Sequence, residues 1–138
     1  MNKNTQRHAW VVGALLTAVS GLVLAAPFSD EAMARARRDY NKYCASCHGP
    51  EGRGDGPVAQ AMKAMPADIT LLSTNNNGEF PAERVRDIID GRADVKAHGP
   101  RAMPVWGKEF YLSSEGVGQR QAKDRIDALT EYLRRMQK

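Results

Sequence analysis

A five-residue segment, Cys44-Ala45-Ser46-Cys47-His48, restricts the possible folds of this chain more than any other part of it. It holds both cysteines of the chain, at the C-x-x-C-H spacing of covalent haem attachment. Each thiol can form a thioether with a vinyl group of a porphyrin, and the imidazole of His48 can then reach the iron. The segment therefore predicts one covalent haem c, attached through Cys44 and Cys47, with His48 as an axial ligand.

Other interpretations of the cysteine pair fit the sequence less well. A thiol redox site normally lies in a βαβ context, and the sequence contains no convincing strand. A zinc site would find no third cysteine and, after the N-terminal leader described next, only His48 and His98. A structural disulfide would close a two-residue loop, which removes little chain entropy. We therefore favour haem attachment over all three.

The N-terminal residues have the layout of an export signal. Lys3 and Arg7 form a short basic region, and no charged residue occurs from position 9 to position 29. Small residues then offer a signal-peptidase site, with cleavage expected after Ala25. We therefore predict a signal peptide over residues 1–25.

The rest of the chain, residues 26–138, is predicted to be one domain with one haem. The leader implies that this domain is located in the periplasm. After cleavage no membrane attachment is expected. The alternative is an uncleaved N-terminal anchor. A membrane span needs about 20 apolar residues, and the apolar run here reaches that length only if Pro27 is included.

Composition and charge exclude several other classes of protein. Apolar residues make up 42% and charged residues 26% of the chain, which excludes a disordered or multi-span membrane protein. The formal net charge is +4, and two of the basic residues lie in the leader, so a nucleic-acid partner is not indicated. Aromatic residues make up only 7%; small aliphatic side chains or a non-protein group such as haem must therefore fill the core.

Two amphipathic stripes, one at each end of the domain, predict an all-α fold. The first helix begins near Ser29, a hydroxyl N-cap followed by two acids. The last helix covers roughly Gly118 to Met136. Each has apolar residues at i, i+3, i+7 and i+10: Met33, Ala36, Tyr40 and Tyr43 in the first, and Ile126, Leu129, Leu133 and Met136 in the last. Such stripes indicate that the terminal helices pack on each other.

The middle of the chain is predicted to be mostly irregular. Glycines and prolines make residues 49–78 a long loop, with a short helix from Val58 to Met65 that ends at Pro66. A second short helix is predicted from Pro81 to Gly91. The segment from Asp94 to Gly107 shows no helical period.

Met103 is the predicted second axial ligand. Haem proteins that carry electrons usually close the distal side with a methionine thioether, which raises the reduction potential. Met103 lies in an irregular segment late in the chain, where Pro100 and Pro104 restrict the backbone. The alternatives are a loop methionine with no ligand role and ligation by His98, which would give a bis-His site of lower potential.

The order of these elements resembles the class I cytochrome c family. A helix, the C-x-x-C-H segment, a long loop, a short helix, a Met-Pro loop and a closing helix cover the chain from Ser29 to Met136. Three segments resemble small bacterial periplasmic monohaem members: 54–57 (GDGP), 66–70 (PADIT) and 101–107 (RAMPVWG). The resemblance implies a cytochrome c fold of three to five helices wrapped around one haem, with the N- and C-terminal helices packed on each other.

The resemblance also implies roles for individual residues. Met103 matches the distal ligand of the family. Pro57, with Pro50 as a second candidate, matches the proline whose carbonyl accepts the N–H of the proximal imidazole. We also expect Trp106 to donate a hydrogen bond to a haem propionate, with Arg101 as a second donor; the alternatives are a packed indole and a solvated guanidinium.

These expectations together predict an electron carrier and not an enzyme. An iron bound by both His48 and Met103 has no open position for a substrate, and the sequence shows no separate catalytic constellation. Expected partners are redox proteins, with a dehydrogenase or membrane complex as donor and an oxidase or reductase as acceptor, met through a small transient interface or within a redox complex. The alternative is a haem c protein with an exchangeable sixth ligand that acts as a gas sensor or small peroxidase.

Overall fold

The computed structural model describes residues 28–93, 103–113 and 118–138. This part of the chain contains five α-helices and no strand, which confirms the predicted all-α fold. The helices are α1 (Asp30–Tyr43), α2 (Ala45–His48), α3 (Ala82–Asp90), α4 (Trp106–Leu112) and α5 (Gly118–Arg135). None of these described helices is both long enough and apolar enough to cross a membrane. The predicted signal peptide, residues 1–25, lies outside the described residues and stays a prediction.

Helix α1 begins where the sequence predicts. The side chain of Ser29 accepts a hydrogen bond from the backbone N–H of Ala32 at 3.2 Å, which satisfies a donor that has no partner within the helix. Asp30 and Glu31 add negative charge to the first turn, where the helix dipole favours it. The cap and the dipole thus fix the start of the helix that leads into the cysteine segment.

The core forms where α1 and α5 pack on each other, as predicted. Tyr40 and Leu129 are fully buried, and the ring of Tyr40 lies 5.5 Å from that of Tyr132. Burying one large apolar side chain is worth about 1.5–3 kcal/mol, so this contact contributes strongly to stability. The other members of the α5 stripe are buried or packed against the same core: Ile126, Leu133 and Met136.

The segment between α2 and α3 is irregular apart from three 3₁₀ turns, at Ala59–Ala61, Ile69–Leu71 and Thr74–Asn76. The predicted helix from Val58 to Met65 is therefore wrong, since only the turn Ala59–Ala61 forms there. Met62 has an extended backbone, and the side chains of Val58 and Met65 are exposed. This stretch buries no continuous apolar face, so packing does not stabilise a longer helix.

Two shorter helices complete the fold, and only one of them was predicted from the sequence. Helix α3 ends at Gly91 in a left-handed conformation, close to the prediction. Helix α4 begins at Trp106, inside the segment where no helical period was found. It packs through Phe110, which is fully buried, and through Gly107, which lies against Asp90 of α3. A seven-residue helix is too short to show a period, so tertiary packing decides its formation.

Candidate functional site

The C-x-x-C-H segment is anchored at both ends by the same tyrosine. The backbone N–H of Cys44 donates to the carbonyl of Tyr40 at 2.9 Å, and the hydroxyl of Tyr40 donates to the carbonyl of Gly49 at 2.6 Å. Burial raises the pKa of Tyr40 well above its ordinary value, so the hydroxyl keeps the proton that it donates. The protein's own contacts therefore fix the segment to the α1–α5 core, independently of a cofactor.

The two thiols, the imidazole and two methionines, Met62 and Met103, line a single cavity of about 180 Å³. Cys44, Cys47 and His48 come from the attachment segment, while Met103 and Trp106 come from a part of the chain more than 50 residues later. The fold thus brings together five of the residues that the sequence predicted for the site. The cavity has further lining residues that were not predicted there: Lys42, Tyr43, Ser46, Met62, Pro66 and Pro104.

Three other residues were considered from the sequence, and the structure describes one of them. Pro57 is exposed and is not among the residues that line the cavity. His98 and Arg101 lie outside the described residues, so their predicted roles stay predictions.

His48 has a backbone partner that the sequence did not identify. Its Nδ1 atom lies 3.1 Å from the carbonyl oxygen of Ala67. A carbonyl oxygen can only accept, so this contact favours the tautomer with the proton on Nδ1 and the lone pair for a metal on Nε2. Ala67 thus offers the kind of contact that the family resemblance assigned to Pro57. The role of Pro57 stays a prediction.

Cys44 is poorly suited to thiolate chemistry. Burial, followed by the negative charges of Asp39 and Cys47, raises the pKa of its thiol to about 12. Thiol redox sites need the opposite, because the thiolate is the reactive species and its pKa is lowered there. This environment argues against the thiol redox interpretation of the cysteine pair.

The donor set fits haem c. Two thiols at the attachment spacing, one imidazole and one thioether are the groups that hold a haem covalently and ligate its iron from two sides. Cys44, Cys47, His48 and Met103 supply these groups around one cavity. Within the described ranges, no group of three or more His, Cys, Asp or Glu side chains could hold a bare metal ion.

The loop after His48 packs unusually closely on the attachment segment. The backbone N–H of Gly56 donates to the carbonyl of Cys47 at 3.1 Å, and that of Gly54 donates to the carbonyl of His48 at 2.8 Å. A Cβ atom at Gly56 would collide with the backbone of Ser46 and Cys47. Position 56 therefore has room for glycine but not for a larger residue.

An aromatic wall lies along one side of the cavity: Tyr43 and Trp106 line it, and Phe110 packs against Tyr43. The ring of Tyr43 lies 5.1 Å from that of Trp106 and 5.3 Å from that of Phe110, within the range of favourable aromatic pairs. The sequence placed Tyr43 on the apolar stripe of α1, and its position directly before Cys44 was the available signal for a place at the site. Phe110 had no such signal, because α4 itself was not predicted.

Comparison with known families agrees with this site. The family model described as cytochrome c oxidase, cbb3-type, subunit III, matches residues 31–119. The match covers more than half of the chain and includes both the C-x-x-C-H segment and Met103. No curated protein matches the chain.

Proposed function

Since the chain belongs to the c-type cytochrome family of subunit III of cbb3-type cytochrome c oxidase, we propose that it carries single electrons in the periplasm on a haem ligated by His48 and Met103. The coarser statement follows from membership alone: this is a class I c-type cytochrome that binds haem c covalently and transfers electrons. The ligand set, the location and the partners are the proposal.

The observation that carries the proposal is the convergence of Cys44, Cys47, His48 and Met103 on one cavity. When bound, haem c supplies an iron that changes between Fe(II) and Fe(III). The two cysteines prevent loss of the cofactor outside the cell. His48 and Met103 would hold the iron of the bound haem, which would keep substrates from the metal and leave outer-sphere electron transfer as its chemistry.

The protein environment supports this role in two further ways. The carbonyl of Ala67 orients the imidazole of His48 through Nδ1. A hydrogen bond of this kind holds the ring of a metal ligand in one orientation. Tyr43 and Trp106 give one side of the cavity an apolar lining. Rigid ligands and a water-poor site reduce the rearrangement that accompanies each change of charge.

We further propose that redox proteins are the partners. The matching family model describes a subunit of an oxidase, which favours an oxidase on the acceptor side. The donor would be a dehydrogenase or membrane complex, and the cytochrome would act as a mobile carrier or as a subunit. The predicted export signal favours a periplasmic site for this exchange.

Optical spectra of the exported protein, oxidised and reduced, test the ligand set. We expect a low-spin spectrum with the weak sulfur-to-iron band of methionine ligation, and loss of that band in Met103→Ala. Met65→Ala is the matched control, since Met65 is 64% exposed and does not line the cavity. A band that survives in Met103→Ala would contradict the proposal and assign the sulfur ligand to another methionine, with Met62 as the candidate because it also lines the cavity. A low-spin spectrum of the unaltered protein without the band would favour His98, and a high-spin spectrum would favour an exchangeable sixth site.

The mass of the protein recovered from the periplasm tests its location. Cleavage after Ala25 leaves a chain that starts at Ala26, in the soluble fraction. Retention of residues 1–25 with recovery in the membrane fraction would instead support the uncleaved anchor.

A further inference from the structure

A largely buried ion pair lies behind the aromatic wall of the cavity. Asp39 of α1 accepts two hydrogen bonds from Arg125 of α5, at 2.8 and 3.0 Å. The two side chains are only 11% and 13% exposed. The arrangement is bidentate, which the planar fork of arginine allows and the single ammonium of lysine does not.

The same guanidinium also holds α4. Its Nη1 atom donates to the hydroxyl of Ser113 at 2.8 Å, and its central carbon lies 4.2 Å from the centre of the Phe110 ring. Phe110 belongs to α4, and Ser113 is the C-cap of that helix. One side chain of α5 therefore contacts both α1 and α4.

Helix α4 is directly continuous with the segment that carries Met103. Only Pro104 and Val105 separate this methionine from Trp106, the first residue of the helix. Movement of Met103 away from the cavity therefore pulls on the start of α4. Contacts that hold α4 against the rest of the fold oppose such local opening.

We propose that Arg125 is a positioning residue that, through Asp39 and Ser113, locks α4 in place and so limits how readily Met103 yields the iron to a competing ligand. The inference rests on the proposed function, because it needs Met103 to be a ligand. It goes beyond that function in naming what controls the stability of the distal ligation.

The test measures how fast added imidazole displaces Met103 in the oxidised holoprotein, at imidazole concentrations where the rate no longer rises. Arg125→Lys keeps a charge beside Asp39 but loses the fork and the contact with Ser113. We expect its limiting rate to rise about tenfold, the low end of the range for the loss of one hydrogen bond to a charged group. Ser113→Ala leaves the ion pair intact and should raise the rate about twofold, while Ser113→Thr, which keeps the hydroxyl, should restore it.

Arg86→Lys is the matched control. Arg86 of α3 pairs with Asp127 of α5 at 2.6 Å, so the same substitution is made at another contact of α5, and Asp127 keeps Lys123 as a partner. Its displacement rate should equal that of the unaltered protein, even if its Tm falls.

The outcomes separate the two proposals. A methionine band in the unaltered protein with no acceleration in Arg125→Lys, or with equal acceleration in Arg86→Lys, would overturn the inference alone. Absence of the methionine band from the unaltered protein would overturn the proposed ligand set, and the inference with it.

Discussion

Two regions of this cytochrome are held together by different forces. The helical frame, formed by α1, α4 and α5, packs fully buried side chains such as Tyr40, Phe110 and Leu129. The haem loop, residues 49–81, instead relies on backbone hydrogen bonds, such as that from Ile69 N–H to the carbonyl of Gly52 at 2.8 Å. Much of its surface is exposed.

Because of this difference, the stability of the protein and the environment of the cofactor depend on different regions. Apolar burial is non-directional and tolerates some change of shape, whereas backbone hydrogen bonds fix atoms at defined positions. The frame therefore sets the free energy of unfolding, while the haem loop sets the surroundings of His48. Tyr40 joins the two regions through its hydroxyl contact with Gly49.

Removal of the cofactor should have the largest effect and should act first on the haem loop. We expect Cys44→Ala combined with Cys47→Ala to retain no haem after extraction with acidified acetone, because both thioethers are lost. Limited proteolysis should then cut within residues 49–81 before it cuts α1 or α5, since the loop has few buried side chains of its own. Ser46→Ala, within the same segment, is the control and should keep the haem. Haem retained by the double variant would refute covalent attachment.

A cavity in the frame should cost much stability and leave the haem spectrum unchanged. Leu129 is 1% exposed, so Leu129→Ala is expected to lower the free energy of unfolding by about 2–5 kcal/mol. Leu112 is 65% exposed, and Leu112→Ala should change it by less than about 0.5 kcal/mol. Denaturant unfolding of the two holoproteins measures the difference. A changed haem spectrum in Leu129→Ala would show that the two regions are not separable.

A small change in the haem loop, in contrast, should alter the haem spectrum. In Gly56→Ala the new methyl group meets the backbone of Ser46 and Cys47, and we expect a loss of about 1–3 kcal/mol together with an altered haem spectrum. Gly78→Ala is the control: its φ of +86° strains any other residue, but nothing lies within 4 Å of the added Cβ. It should lose about 1–2 kcal/mol with an unchanged spectrum. Equal spectra in the two variants would mean that the close approach at Gly56 does not affect the site.

The smallest expected effect concerns the charged surface of the frame. Burial alone would raise the pKa of Asp127, but hydrogen bonds from Lys123 and Arg86 outweigh it and lower the pKa below its ordinary value. A lowered carboxyl pKa contributes stability above the unfolded-state pKa and loses it as the pH falls through the folded one. Asp127→Asn should therefore cost about 0.5 kcal/mol at pH 7 and nothing in strongly acidic solution. Thermal unfolding at both pH values measures this, and a constant difference would exclude a charge effect.

Prediction from sequence succeeded where the signal was local or periodic. The stripes of α1 and α5 are long enough to show a helical period, and Ser29 and Gly91 mark helix ends through their own chemistry. Prediction failed for Val58 to Met65, where good helix formers have no surface to pack against. It also failed for α4, which forms because Phe110 finds a place in a core built by other helices.

The features of the site also divide into local ones, which the sequence predicts, and long-range ones, which it does not. The sequence by itself determined that the cofactor is covalent haem c, because Cys44, Cys47 and His48 lie together at the C-x-x-C-H spacing; the roles of the three residues stay predictions. Only the tertiary structure decided that Ala67 contacts His48, 19 residues away, and that Arg125 pairs with Asp39, 86 residues away. Such contacts depend on the path of the whole chain, since loop closure brings distant residues together only when the intervening elements pack favourably.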